Sequence, residues 1–148
     1  MNNLGQSVIV IIVGLIGGLA VGIQGPLSGA ISAKLGPVSA SFIIHLGGLL
    51  VSGLLLVALG GENIKEWQSV PVPYLLAGIL GLILYLTFNY TLPRIGAANA
   101  IALLVAAQST LAMLIDHFGW FGVAQHSIDL TRMAGVVLLI GGAFLISR

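Results

Sequence analysis

No aspartate, glutamate, lysine or arginine falls in the central part of any of five long apolar runs in this chain. That exclusion constrains the fold more than any motif, because an uncharged run of roughly 20 residues is what a helix needs to cross the hydrocarbon core of a bilayer. The runs cover 7–33, 37–59, 74–92, 97–115 and 130–147, and together they take up most of a single 1–148 domain. The expected fold class is an all-α integral membrane protein with five transmembrane helices. Composition excludes the alternatives. With 58% hydrophobic and 6% charged residues, the chain cannot build the charged shell of a soluble domain, in which about 25% of residues are charged. A net charge of +1 gives no basic surface for nucleic acid. No cysteine is present, so thiolate chemistry and thiolate-held metal are excluded. The GxSxG, HExxH and phosphate-loop motifs are missing as well. No enzyme, cofactor or metal centre is expected.

The connections are read from glycine, proline and charge. Lys34-Leu35-Gly36-Pro37 closes one helix and opens the next, and Pro93-Arg94-Ile95-Gly96 reads as a tight turn. The longest polar connection runs from Gly60 to Pro73, with Trp67 and Tyr74 as interfacial anchors. Asp116-His117-Phe118-Gly119 ends the fourth run. The fifth run is the shortest, since only Met133 to Ile146 is free of polar side chains. The leading residues Met1 to Gln6 carry no basic side chain and the run behind them is too long for a cleaved signal, so the first run is expected to stay as a helix.

Five spans place the termini on opposite sides of the membrane. Lys65 and Arg132 then share the amino-terminal side, against Lys34, Arg94 and Arg148 on the other. Orientation is normally set by an excess of lysine and arginine toward the cytoplasm, and here there is almost none. Two readings stay open: a weakly biased chain that inserts one way, and a dual-topology chain whose copies pair antiparallel to make the inverted repeat of a transporter.

Within the spans, Gly14, Gly18 and Gly22 stand at four-residue spacing, which allows close helix approach. Gly25-Pro26 predicts a kink between Gly22 and Pro26, because proline lacks a donor and its ring crowds the carbonyl four residues back. Gly22, Gly25 and Pro26 are therefore the candidate hinge. Gln24, His45, Tyr85, Asn89 and Gln108 fall at similar depths on four helices, with Asn99 nearer one end. Polar groups in hydrocarbon must bond one another, water or a ligand, so the first five are the candidate substrate-binding residues. Ala77, Gly81, Tyr85 and Asn89 share one stripe of their helix, and Asn99, Ala102, Ala106, Ser109, Met113 and Asp116 share a face of theirs. His45 is the one titratable group near mid-membrane, and with Asp116 and His117 it is a candidate for coupling or gating. The plainer reading of these three is a bonded core imidazole and an interfacial helix end.

The segments Pro93 to Ala100, Ala107-Gln108-Ser109, Leu114 to Gly119, Asp129 to Arg132 with Gly135 and Gly141-Gly142, and Gln24 followed by Leu35-Gly36-Pro37 resemble the YdcZ-type branch of the drug/metabolite transporter superfamily over essentially the whole chain. The sequence differs from that branch at Ser28, where asparagine is common, and at His45, where an apolar residue is common. The resemblance implies a multi-pass protein of the bacterial cytoplasmic (inner) membrane. It also implies a five-helix unit that is half of a ten-helix inverted-repeat fold and works as an antiparallel dimer with a second copy of itself or a paralogous subunit.

The leading expectation is a small-molecule transporter, an exporter or exchanger, acting by alternating access. The absence of central charge favours a neutral or zwitterionic solute, or a cation held against the faces of Tyr85 and Phe88. A narrow channel within an antiparallel dimer and a non-transporting assembly subunit are the alternatives.

Overall fold

The structure is a computed structural model that describes residues 3–148. Met1 and Asn2, the start of the uncharged leading segment, lie outside the described residues. The described chain is all-helical: α1 (Asn3–Leu35), α2 (Pro37–Ala58), α3 (Val72–Leu75), α4 (Ala77–Ile95), α5 (Ala97–Phe118) and α6 (Leu130–Ile146), with 3-10 turns at Ile64–Ser69 and Trp120–Gly122. Four helical stretches are long and apolar enough to cross a membrane: Gly5–Leu35, Pro37–Ala58, Val72–Ile95 and Ala97–Phe118. Leu130–Ile146 is apolar but shorter. Its 17 residues span about 25 Å.

The local reasons are legible at the breaks. α1 and α2 are separated by Gly36 alone, with φ 85° and ψ 158°. α4 and α5 are separated by Gly96 alone, with φ 81° and ψ 162°. These angles lie in a region that is essentially glycine-only, because a Cβ would clash with the backbone. At Gly36, Pro37 takes the first helical position, where its missing donor costs nothing. The tight turn expected over Pro93-Arg94-Ile95-Gly96 is therefore a single residue. α4 continues through Pro93 to Ile95 because the proline sits in the last turn, where it removes only the bond to the Asn89 carbonyl.

α1 likewise runs unbroken through Gly22, Gly25 and Pro26. Gly25, lacking a Cβ, relieves the crowding that a proline imposes on the residue before it, so the backbone stays helical where an interruption would otherwise form.

The chain divides into two compact units, 1–90 and 91–148. In the first, α1 packs on α2, and the buried residues of this pair are Gly25, Ser28, Ala40 and Ser41. α4 reaches α1 and α2 only through side chains. In the second, α5 packs on α6, and Ala100, Ala106 and Ala143 are buried. Small residues dominate both contacts, as in helix packing within lipid, where backbones must approach closely to gain dispersion energy. The large apolar side chains point outward: Val10, Leu19, Leu54, Val57, Leu138 and Leu145 are all exposed. That is the pattern of a surface solvated by acyl chains.

Candidate functional site

The stripe on α4 carries Gly81, Tyr85 and Asn89 to the face opposite α1 and α2. Asn89 is 7% exposed, and its Oδ1 accepts a 3.1 Å hydrogen bond from the Ser28 hydroxyl of α1. The Asn89 Nδ2 amide is buried and has no hydrogen-bond partner among the described residues, and the same holds for the Tyr85 hydroxyl. His45 of α2 meets Tyr85 edge to face, with ring centroids 5.0 Å apart. Gly81 has no side chain for a reason: a Cβ built there would stand 3.3 Å from His45 Nε2. Ala77, at the start of the stripe, is exposed.

His45 is oriented from within its own helix. Its Nδ1 lies 2.7 Å from the Ser41 carbonyl and 3.2 Å from the Ser41 hydroxyl. A carbonyl can only accept, so Nδ1 carries a proton and donates it there. In the neutral ring Nε2 then keeps the lone pair. With Nδ1 committed to the carbonyl, His45 is not placed to activate Ser41 as a nucleophile.

Gln24, one turn before Ser28, is exposed and makes no hydrogen bond to the described residues. Gln108 is exposed on α5 and is likewise unbonded. The structure thus gathers His45, Tyr85 and Asn89 around one face, adds Ser28 and Ser41, and does not bring Gln24 into bonding contact with them; Gln108 belongs to the other unit. Ser28 is the residue that sequence spacing does not reveal as part of this face. It lies 61 positions from its partner, and a serine in a helix is as readily satisfied by its own backbone.

Asp116 and His117 sit in the last turn of α5, where they hold down the loop that leads to α6. Arg132 forms a half-exposed ion pair with Asp116 at 3.3 Å and donates to the His126 carbonyl. The His126 amide in turn donates to the Asp116 carbonyl at 2.9 Å. His117 Nδ1 accepts the Ile128 amide at 3.2 Å, and the His117 carbonyl accepts from the Gln125 side chain at 2.8 Å. Asp129 caps α6 by accepting the Arg132 amide at 2.7 Å. Gly119, with φ 64°, ends α5 in the left-handed conformation suited to glycine. Beside this latch, a groove of about 490 Å³ runs between α5 and α6, lined by Ser109, Met113, Asp116, Arg132 and Gly135. Asn99, on the same face of α5, donates to the Ile95 carbonyl at 2.7 Å.

Among the described residues no group of three or more His, Cys, Asp or Glu side chains could hold a metal ion. The Gly14–Gly18 segment of α1 is open, with no atom within 4 Å of a Cβ built at Gly14, Gly17 or Gly18.

A family model described as "Putative inner membrane exporter, YdcZ" matches residues 9–145. No curated protein and no solved structure matches the chain.

Proposed function

This chain belongs to the YdcZ family of inner membrane exporters, a multi-pass membrane protein, and from that premise we propose that it moves a small molecule across the cytoplasmic membrane by alternating access. The wall that faces the solute is formed by His45, Tyr85 and Asn89, backed by Ser28, with Gln24 as an outer contact; Gln108 is a separate candidate contact on α5. The observation that carries this reading is the pair of buried, unpartnered polar groups on α4, Tyr85 Oη and Asn89 Nδ2. An unpaired amide in hydrocarbon costs several kcal/mol, which a chain sustains where a ligand supplies the missing bond.

In this reading α6 is the fifth span, and the unit is half of an inverted-repeat carrier completed by a second copy lying antiparallel. Two features support the pairing. Basic residues are nearly balanced between the two sides that five spans would create, and the open glycines of α1 leave a face for a close helix contact. Gly22, Gly25 and Pro26 form the hinge, since the carbonyl of Gly22 lacks the usual donor at position 26. His45 is the group able to couple transport to a proton, while Asp116 and His117 serve to anchor the α5–α6 loop.

Two measurements test this. Reporter fusions at the carboxyl terminus should be active on both faces of the membrane; a reporter confined to one face removes the antiparallel homodimer. Proteoliposomes loaded with a metabolite extract should lose at least one solute with saturable kinetics, and Tyr85→Phe and Asn89→Leu should slow that loss. Unchanged flux in both variants removes the proposed wall.

A further inference from the structure

The hydrogen-bonding sense of the α4 face narrows the kind of solute it takes. Asn89 Oδ1 already receives the Ser28 hydroxyl, so the free end of that amide is Nδ2, which only donates. Tyr85 lies one helical turn earlier on the same stripe, and its hydroxyl also lacks a partner. Residues four apart on a helix are neighbours, so one oxygen atom with two lone pairs can accept from both. The nearby acceptor, His45 Nε2, is turned toward α4 at Gly81, 3.3 Å from where a Cβ would stand there, to one side of the two free donors. No carboxylate faces the site from any of the three helices packed around it, because every Asp and Glu of the chain (Glu62, Glu66, Asp116, Asp129) lies outside α1, α2 and α4. A desolvated cation would have no counter-charge there, and a desolvated anion would meet no fixed positive charge among Ser28, Tyr85, Asn89 and a neutral His45.

We propose that the face formed by Ser28, His45, Tyr85 and Asn89 binds a neutral solute through a strong hydrogen-bond acceptor, such as a carbonyl or N-oxide oxygen, and discriminates against cations that lack one. This rests on the reading of that face as the solute-facing wall.

The test uses matched probes of one ring size and high water solubility: pyridine N-oxide, which is neutral with an acceptor oxygen; N-methylpyridinium, a cation with none; and benzoate, an anion. Titrated against the full-length protein in detergent by saturation-transfer NMR, pyridine N-oxide should bind at least about tenfold more tightly than either ion, a difference of about 1.4 kcal/mol. Tyr85→Phe, which keeps the ring and removes one donor, should weaken the N-oxide roughly fivefold. Asn89→Asp keeps an acceptor for Ser28 and replaces the free donor with an anionic oxygen, so it should reverse the preference toward N-methylpyridinium.

Equal binding of the three probes overturns the proposal, as does tighter binding of either ion. So does an unreversed preference in an Asn89→Asp protein that melts cooperatively. Should that variant not fold, Tyr85→Phe decides: unchanged N-oxide affinity overturns the proposal. Flux is read separately. The expected probe preference without any solute flux would sink the transport reading and leave this inference standing. Saturable flux with no probe preference would sink this inference alone.

Discussion

In residues 1–90 Ser28, His45, Tyr85 and Asn89 stand against one another from three helices and remain partly unpaired, whereas in residues 91–148 Asp116, His117 and Arg132 are bonded into the loop at one end of α5. Asn89 and Asp116 show the contrast. Asn89 is almost fully buried, takes one bond from Ser28 and leaves its amide donors unused. Asp116 is half-exposed, pairs with Arg132 and sits among loop contacts that include His117, Gln125, His126 and Ile128. An unmet buried group lowers stability and creates a demand that a ligand can fill. A satisfied network at a helix end fixes a loop and makes no such demand. On the proposed function, the difference points to binding in the first unit and to holding a loop in the second.

The largest effect should come from cutting the unmet demand. Asn89→Leu is expected to reduce solute flux in proteoliposomes tenfold or more (about 1.4 kcal/mol), while the melting temperature in detergent stays level or rises. Ser28 can then turn its hydroxyl to its own helix. A fall in melting temperature together with flux would instead make Asn89 a structural residue and erase the contrast.

The one-residue breaks are the feature the two units share, so they should respond alike. Gly36→Ala and Gly96→Ala are each expected to destabilise by about 1–3 kcal/mol, because neither break can be made comfortably by an L side chain. Thermal unfolding of the two variants checks this, and a large effect at only one of them would show that the other break relaxes.

Smaller again is the latch. Arg132→Ala removes a half-exposed ion pair, and such pairs contribute about 0–1 kcal/mol. Its signature should be faster amide exchange across 119–129, with little change in α1, α2 or α4. The smallest effect belongs to Gln24→Ala and Gln108→Ala. Both side chains are exposed and unbonded, so stability should stay within about 0.5 kcal/mol, and flux should fall less than it does for Asn89→Leu.

Much of this could be read along the chain. The four long apolar helices follow from where charge is missing, and the breaks at Gly36 and Gly96 from glycine beside a helix end. The stripe Gly81-Tyr85-Asn89 follows from the helical repeat. Proline misled at Pro93, where a turn is expected. It lies within α4, in a final turn with little left to break, and Pro26 likewise lies within α1, next to a glycine that makes room. Depth leaves direction open: Gln24 and Gln108 share the polar layer in sequence and are exposed, with no hydrogen bond to the described residues, because depth along a helix says nothing about the direction a side chain faces around it.

The amino-acid sequence alone determined which segments exclude charge and which residues share a helical face, since both are properties of a single segment: hydrocarbon penalises charge wherever it lies, and the helical pitch is constant. Only the tertiary structure decided that Ser28 bonds Asn89 and that His45 stands against Tyr85. It also decided that Asp116 and Arg132 close on each other. Those meetings depend on how each helix is rotated and slid against its neighbours, which is set by the sum of many small packing contacts and is not encoded in the spacing of any one segment.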